Sequence, residues 1–365
     1  MRIGIDARMI THPGIGRYIR GLLKGISESE KDYKYLLLGD KEHLEEFLER
    51  HNFSFRASNA PIYGIREQLS LFLKVRGVDV FHFPHYNIPI LYKDKYVSTV
   101  HDLIHLIFPE HLPSKLAYLY AKNMFRALAK NSEKVITVSE NTKNDLIKYT
   151  DISPYKIKVI YEGVDPTFRR LDEETLDFTR FKYNLHKPFI LFVGTLKPHK
   201  NVIGMLNAYL HLKRSGKIEE QLVIVGRQDK KAKQINNFLE SLGPEDGIRY
   251  LGGIPHDDMP RIYNLAKMLL FVSFYEGFGL PPLEAMACGV PCLCSNAASI
   301  PEVVGDAALL IDPHSEEEIS DGIYKLVQND SLRKELVCNG FERIKLFNWN
   351  DTAKKTLEVY EEVLQ

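Results

Sequence analysis

Charge of one sign is missing from this chain. Its 365 residues carry 48 Lys/Arg against 48 Asp/Glu, a formal net charge of zero at pH 7, so nucleic acid is not an expected partner. Long apolar stretches are missing too: no run approaches the roughly 18 residues of a membrane-spanning helix. The opening Met1-Arg-Ile-Gly-Ile reads directly as a strand and offers no basic segment followed by an apolar one. Export through a signal peptide is therefore not expected, and a cytoplasmic location is. Cysteine is scarce, with four in all, three of them crowded as Cys288, Cys292 and Cys294 among small apolar residues. They read as reduced core thiols rather than a disulfide frame. No second Cys/His pair at finger spacing accompanies them, which argues against structural zinc.

What is present is ordinary globular composition, 44% hydrophobic and 26% charged, over a length that suits two domains. The balanced charge hides an asymmetry. Through Arg170 there are 26 Lys/Arg against 20 Asp/Glu, and after it 22 against 28, so the halves are about +6 and −6. Strand-like runs alternate with helix-like runs, the pattern of parallel sheets covered by helices. One series is Ile3 to Asp6, Lys34 to Leu38, Val78 to Phe83, Tyr96 to Thr99, Lys134 to Val138 and Ile157 to Ile160. A second runs through Phe189 to Val193, Gln221 to Val225, Ile248 to Tyr250, Met268 to Val272, Val290 to Leu293 and Ala308 to Ile311. The junction falls in 162–188. A last amphipathic helix, Asn350 to Leu364, carries Leu357, Tyr360 and Leu364 on one face.

The most informative stretch is Glu276-Gly-Phe-Gly-Leu-Pro-Pro-Leu-Glu284, two carboxylates eight apart. Gly277 and Gly279 permit positive φ and close main-chain approach, and Pro281 and Pro282 suit a first helical turn. The helix start favours an anion such as phosphate. Glu276 is placed to accept from sugar hydroxyls, and Glu284, one turn into the helix, to hold a vicinal diol such as ribose.

This motif resembles glycosyltransferase family 4, retaining enzymes of the GT-B fold. The resemblance extends from Ile3-Gly-Ile-Asp-Ala-Arg8 through Gly14-Ile-Gly16, Thr99-Val-His-Asp102, Val135-Ile-Thr-Val-Ser139, Gly163-Val-Asp165, Val193-Gly-Thr-Leu-Lys-Pro-His-Lys-Asn201 and Ile300-Pro-Glu-Val-Val-Gly305 to Trp349. It implies an α/β fold of two Rossmann-like, doubly wound parallel-sheet domains facing a central cleft. The acceptor domain would span 1–168 and the donor domain 169–345, with the 346–365 helix crossing back to the first. It also implies that Glu276, Gly277, Phe278, Gly279, Leu280 and Glu284 contact a nucleotide-sugar donor.

Further candidates follow from strand ends. Gly14-Ile-Gly16 follows the first strand as a phosphate loop would, although Ile19 replaces the third glycine of a dinucleotide fingerprint; in the family this loop lies near the donor phosphate or the acceptor. Gly194-Thr-Leu-Lys-Pro-His-Lys-Asn201 puts cations where a diphosphate binds. Lys200 is the prime candidate, with Arg227 after the next strand. Thr195 and His199 stand where many family members have arginine. His101-Asp102 ends another strand, and the family implies that this histidine faces the transferred sugar. His101, Glu276 and Lys200 are thus the expected catalytic residues. His85, Tyr86, Asn87 and Asp102 are expected on the acceptor side. His82, His85 and His105 invite zinc by spacing alone, but no carboxylate set accompanies them. Lys115, Lys122, Arg126 and Lys130 form one basic helical stripe, either a solvated face or a contact with the inner face of the membrane.

These features together point to a retaining hexosyltransferase, with mannose the expected sugar, GDP or UDP the nucleotide, a glycan or lipid-linked acceptor and no metal. The alternatives are a nucleotide-sugar epimerase of the same build and a sugar-nucleotide- or glycan-binding protein without turnover. A third, an NAD-dependent oxidoreductase, is disfavoured by the broken glycine fingerprint.

Overall fold

The computed structural model describes residues 1–58, 62, 67–68, 71 and 74–365. The chain divides into two compact units, Met1–Gly163 with Phe347–Gln365, and Val164–Leu346.

In the first unit the strands are β1 (Arg2–Asp6), β2 (Lys34–Gly39), β3 (Phe53–Ala57), β4 (Val80–Phe83), β5 (Tyr96–Val100), β6 (Lys134–Thr137) and β7 (Ile157–Val159). They form one parallel sheet in the order β3-β2-β1-β4-β5-β6-β7. Central strands are buried along nearly their whole length, as in Tyr96–Val100, because helices cover both faces of a parallel sheet. β3 was not expected from the sequence. It pairs in register with β2 from Tyr35↔Phe53 to Gly39↔Ala57, yet as an edge strand it exposes Ser54 and Phe55 and so lacks the apolar run that marks its neighbours.

The second unit repeats the plan. Its strands are β8 (Phe189–Val193), β9 (Gln221–Val225), β10 (Ile248–Gly252), β11 (Met268–Phe271), β12 (Cys292–Ser295) and β13 (Ala308–Ile311). They lie parallel in the order β10-β9-β8-β11-β12-β13. β12 begins two residues later than the apolar run Val290 to Leu293 implies, because Val290 still belongs to the helix end, its N–H bonding Ala285 O at 2.9 Å.

In both sheets the winding direction reverses beside the first strand, between β1 and β4 and between β8 and β11. Such switch points open a crevice at the carboxyl ends of the strands. The Trp349–Leu364 helix packs on the Ile15–Ser27 helix within the first unit. Gly21 and Gly25 make this close approach possible, since a Cβ on Gly21 would stand 2.1 Å from the Trp349 ring and one on Gly25 2.5 Å from its carbonyl oxygen. Gly163 is likewise required, because a Cβ there would meet Trp349 N at 2.4 Å. The Thr352 hydroxyl donates to Tyr161 O at 2.7 Å, so the chain just after β7 is fixed from the terminal helix.

Candidate active site

In the second unit, main-chain pairing continues past the ends of β8 and β9. Gly194 N bonds Val225 O at 2.9 Å and Leu196 N bonds Arg227 O at 3.0 Å. This needs Gly226 at φ 148°, where a Cβ would lie 1.9 Å from Gly194 O. A single turn Pro198–Lys200 follows, closed by Asn201 at φ 54°, whose side-chain amide donates to Pro313 O at 2.6 Å. Phe274 N bonds His199 O at 2.8 Å, tying this loop to the one after β11.

That tie brings Lys200 to Glu276. The Lys200 ammonium donates to both carboxylate oxygens, at 2.5 and 2.6 Å, and the Ser273 hydroxyl adds a third bond to Glu276 Oε1 at 2.6 Å. Both charged side chains are partly accessible, 17% and 14%. The Lys200 ammonium also stands 5.7 Å over the Phe271 ring. Behind the loop, the buried Ser299 hydroxyl lies 2.9 Å from Glu276 O and 2.7 Å from Phe278 O. Gly279, at φ 128°, opens the Leu280–Ala287 helix, which has no side-chain cap and no acid in its first turn. Its amide end therefore favours an anion. Glu284 is buried at 2% exposure and its Oε2 accepts from the Tyr263 hydroxyl at 2.8 Å. Thr195 is half-buried and Arg227 exposed. Ser273, Ser299 and Tyr263 escaped sequence reasoning; a hydroxyl three residues before Glu276 was the one local clue.

In the first unit, Gly14 (φ 81°) caps the Ile15–Ser27 helix. Gly16 packs so closely that a Cβ would stand 2.4 Å from Ile10 O. His101, directly after β5, has Nδ1 3.0 Å from Glu162 Oε1 and Nε2 3.1 Å from Pro84 O. Asp102 accepts from Ile104 N at 3.0 Å and so starts the next turn. On the loop after β4, Tyr86 stacks on Phe125 at 4.4 Å and its hydroxyl is 2.7 Å from His105 Nδ1. Burial first, then the neighbouring His101, His105, His12 and Arg8 charges, holds His85 well below the usual histidine range, so its ring is neutral at pH 7.

Asn87 is fixed by a buried network that the sequence did not disclose. Its amide donates to Glu67 Oε2 at 2.7 Å, its carbonyl accepts from Tyr120, and Glu67 Oε1 accepts from Arg8 at 2.8 Å. Arg8 also forms a two-point bond to Asp6, at 2.8 and 2.7 Å. His82 belongs elsewhere: its ring nitrogens contact the Tyr360 hydroxyl at 2.6 Å and Thr99 Oγ1 at 2.8 Å. Burial lowers its pKa to about 3, so it is a neutral core histidine.

The Cys288, Cys292 and Cys294 thiols are free and buried. Burial raises the pKa of Cys288 and Cys294, which makes them unreactive. No group of three or more potential metal ligands is found among the described residues.

Both units thus carry candidate residues at the carboxyl ends of a doubly wound parallel sheet, and comparison with known proteins gives the class. The family model for glycosyl transferases group 1 matches residues 175–343 and that for glycosyltransferase family 4 matches residues 13–168. O-antigen chain mannosyltransferase B of Escherichia coli is 32% identical over 77% of this chain and 74% of that protein. The chain belongs to glycosyltransferase family 4. Serotype-specific mannosyltransferase WbdA of Escherichia coli is 30% identical over 74% of this chain, which spans about a third of that relative (34%). The GT-B fold is shared with Anabaena HepE, solved with UDP and glucose, at 17% identity, a TM-score of 0.77 and coverage of 99% and 100%. Among the described residues no helix is long and apolar enough to cross a membrane.

Proposed function

We propose that the protein is a retaining hexosyltransferase that moves mannose from a nucleoside-diphosphate donor to a growing glycan of bacterial surface polysaccharide type. The observation that carries this reading is the Lys200–Glu276 pair at the switch point of the second sheet. The 32% identity to an O-antigen mannosyltransferase supports the choice of sugar.

In this reading the donor lies on the second unit. Glu276 accepts from the hexose hydroxyls, Glu284 from the ribose, and Lys200 turns from Glu276 to the diphosphate. Gly277, Phe278, Gly279 and Leu280 supply main-chain contacts at the helix start. Thr195 and Arg227 border the phosphates. The Gly14–Gly16 loop, His85, Tyr86, Asn87, His101 and Asp102 belong to the first unit, with His101 directed to the transferred sugar. The bond from the anomeric carbon to the phosphate oxygen breaks and the acceptor oxygen attaches on the same face. The acceptor proton passes to the departing phosphate, whose charge Lys200 and the helix start stabilise.

The acceptor reading extends to a lipid-linked glycan at an anionic bilayer. Supporting it, the Lys115–Asn131 helix exposes Leu116 and Leu119 beside Lys115, Arg126 and Lys130, a mixture of apolar and basic groups that suits a headgroup layer. Co-sedimentation with phosphatidylglycerol vesicles, lost in Leu116→Asp/Leu119→Asp, checks it.

The test of function is incubation with radiolabelled GDP-mannose, GDP-fucose, UDP-glucose and UDP-galactose, with and without a mannose-terminated oligosaccharide. Transfer from GDP-mannose, with an α-configured product by NMR, is expected. Interconversion of donors without transfer identifies an epimerase, and binding without turnover a carrier.

A further inference from the structure

His101 is held at every side the structure describes. Its carbonyl accepts from the Thr142 hydroxyl at 3.3 Å, and the Tyr18 ring packs edge-on against it at 4.8 Å and 83°. Both ring nitrogens face acceptors, Glu162 and the Pro84 carbonyl. Both contacts are hydrogen bonds only when each nitrogen carries a proton; when the ring carries one, the carboxylate, as the charged acceptor, keeps it in preference to the carbonyl.

Glu162 itself is 5% exposed, and His101 is its one side-chain hydrogen-bond partner among the described residues. A buried carboxylate needs such a partner. Its place is set from outside the loop. Gly163 is pressed against Trp349 N, and Tyr161 O is bonded by Thr352, so the residue between them has little freedom to withdraw from His101.

We propose that Glu162 is a positioning residue for His101: it holds the proton on Nδ1, so that Nε2 is the nitrogen turned to a bound sugar, and the Trp349–Leu364 helix keeps it there. This deepens the hexosyltransferase reading above and rests on it for the nature of the ligand. The Nε2 contact to Pro84 O is the one a sugar hydroxyl replaces, while the Nδ1 contact persists through turnover. The sequence signal is a carboxylate two residues past a strand end, directly before Gly163-Val-Asp165.

The test uses the full chain labelled with ¹⁵N-histidine, and the variants Glu162→Gln, His101→Ala and the pair combined. In the unaltered protein the His101 resonances should report a protonated Nδ1, and in E162Q that population should fall. With transfer assays, E162Q should lower kcat at least tenfold and leave the donor KM within twofold, a loss of the size seen when the carboxylate orienting a metal-bound histidine is removed, about 10- to 100-fold. The combined variant should be no slower than H101A alone. Glu162→Asp, which keeps the charge, should recover part of the loss if E162Q folds poorly. Unchanged ring-nitrogen shifts in E162Q, or E162Q and H101A effects that multiply, overturn the proposal. An unaltered protein that transfers no sugar overturns the hexosyltransferase reading instead, and the ring-nitrogen shifts still decide for or against the pair.

Discussion

The two units place a cation at the same topological position and treat it in opposite ways. In the first, the switch point lies between β1 and β4, and the cation is Arg8, its side chain 5% exposed and bonded to both Asp6 and Glu67. In the second it lies between β8 and β11, and the cation is Lys200, 17% exposed, its ammonium bonded among the described residues to Glu276 alone. Burial alone would lower the Arg8 pKa, but the Asp6 and Glu67 carboxylates outweigh it and raise the pKa further. Arg8 is thus a closed structural pair of bonds, and through Glu67 it braces Asn87. Lys200 holds a partly accessible carboxylate, which in the proposed reading an incoming diphosphate replaces. One architecture holds both a braced cation and a more accessible one, and the number of carboxylates and the degree of burial separate them.

The largest effect should come from breaking the brace. Arg8→Ala leaves Asp6 and Glu67 buried without their cation, at a cost of about 3–5 kcal/mol, to be read as a lowered denaturation midpoint. Lys200→Ala should move that midpoint less, because Glu276 keeps the Ser273 hydroxyl and some access to water. It should instead lower kcat by about 10²–10³, the usual loss of a group stabilising developing charge. Equal destabilisation by the two variants would erase the distinction.

Next in size is Glu284, which is buried and accepts from the Tyr263 hydroxyl. Glu284→Gln keeps an acceptor for Tyr263 and removes the charge that strengthens bonds to ribose. A loss of about 1.5–3 kcal/mol in such bonds weakens nucleotide binding at least tenfold. Calorimetry with GDP and UDP checks this, and unchanged affinity removes Glu284 from the donor site.

Acid should separate the units further. His82, with its pKa lowered to about 3 by burial, stays neutral in the fold, whereas the unfolded chain binds a proton below its ordinary value of about 6.5. The unfolded state therefore holds more protons between these values, and stability is lost as pH falls from about 6.5 towards 3, at up to ~1.4 kcal/mol per pH unit. In the second unit, the Lys182 and Tyr183 bonds lower the Asp258 pKa, and the Arg214 bond lowers that of Asp246. Their contributions persist above the ordinary carboxylate value and fade only below it. Fluorescence of the single Trp349 reports the first unit, so its melting temperature should begin to fall below pH 6.5, and His82→Gln should flatten that slope.

The sequence disclosed what is local. Buried parallel strands read as apolar runs, and the glycine–proline punctuation around Glu276 placed a helix start where one stands. It missed β3, whose Ser54 and Phe55 face outward, because an edge strand lacks the double burial that makes its neighbours visible. It also missed the partners that give the site its character. Glu67 lies 59 residues from Arg8 and Glu162 lies 61 from His101, distances at which no periodicity links them. Lys200 and Glu276 were each legible at a strand end, but their direct pairing depends on the Phe274–His199 main-chain bond, which no side-chain pattern records.

The smallest expected effect sharpens the role given to Lys200. Enzymes that hold Mg²⁺ or Mn²⁺ on a sugar diphosphate use hard oxygen ligands on short acidic motifs. The nearest acidic doublet is Asp257-Asp258. The Asp258 carboxylate is already occupied, accepting from Lys182 and from the Tyr183 hydroxyl at 2.6 Å each. Lys200 and the uncapped start of the Leu280–Ala287 helix supply positive potential without an ion. Transfer measured in 10-fold excess EDTA over any carried-over metal should therefore match the untreated rate within about a factor of two, well under the roughly 1.4 kcal/mol of a tenfold change. Abolition by chelator with recovery on added Mn²⁺ would take the diphosphate away from Lys200, and the contrast between an exchangeable cation in one unit and a locked one in the other would lose its functional meaning.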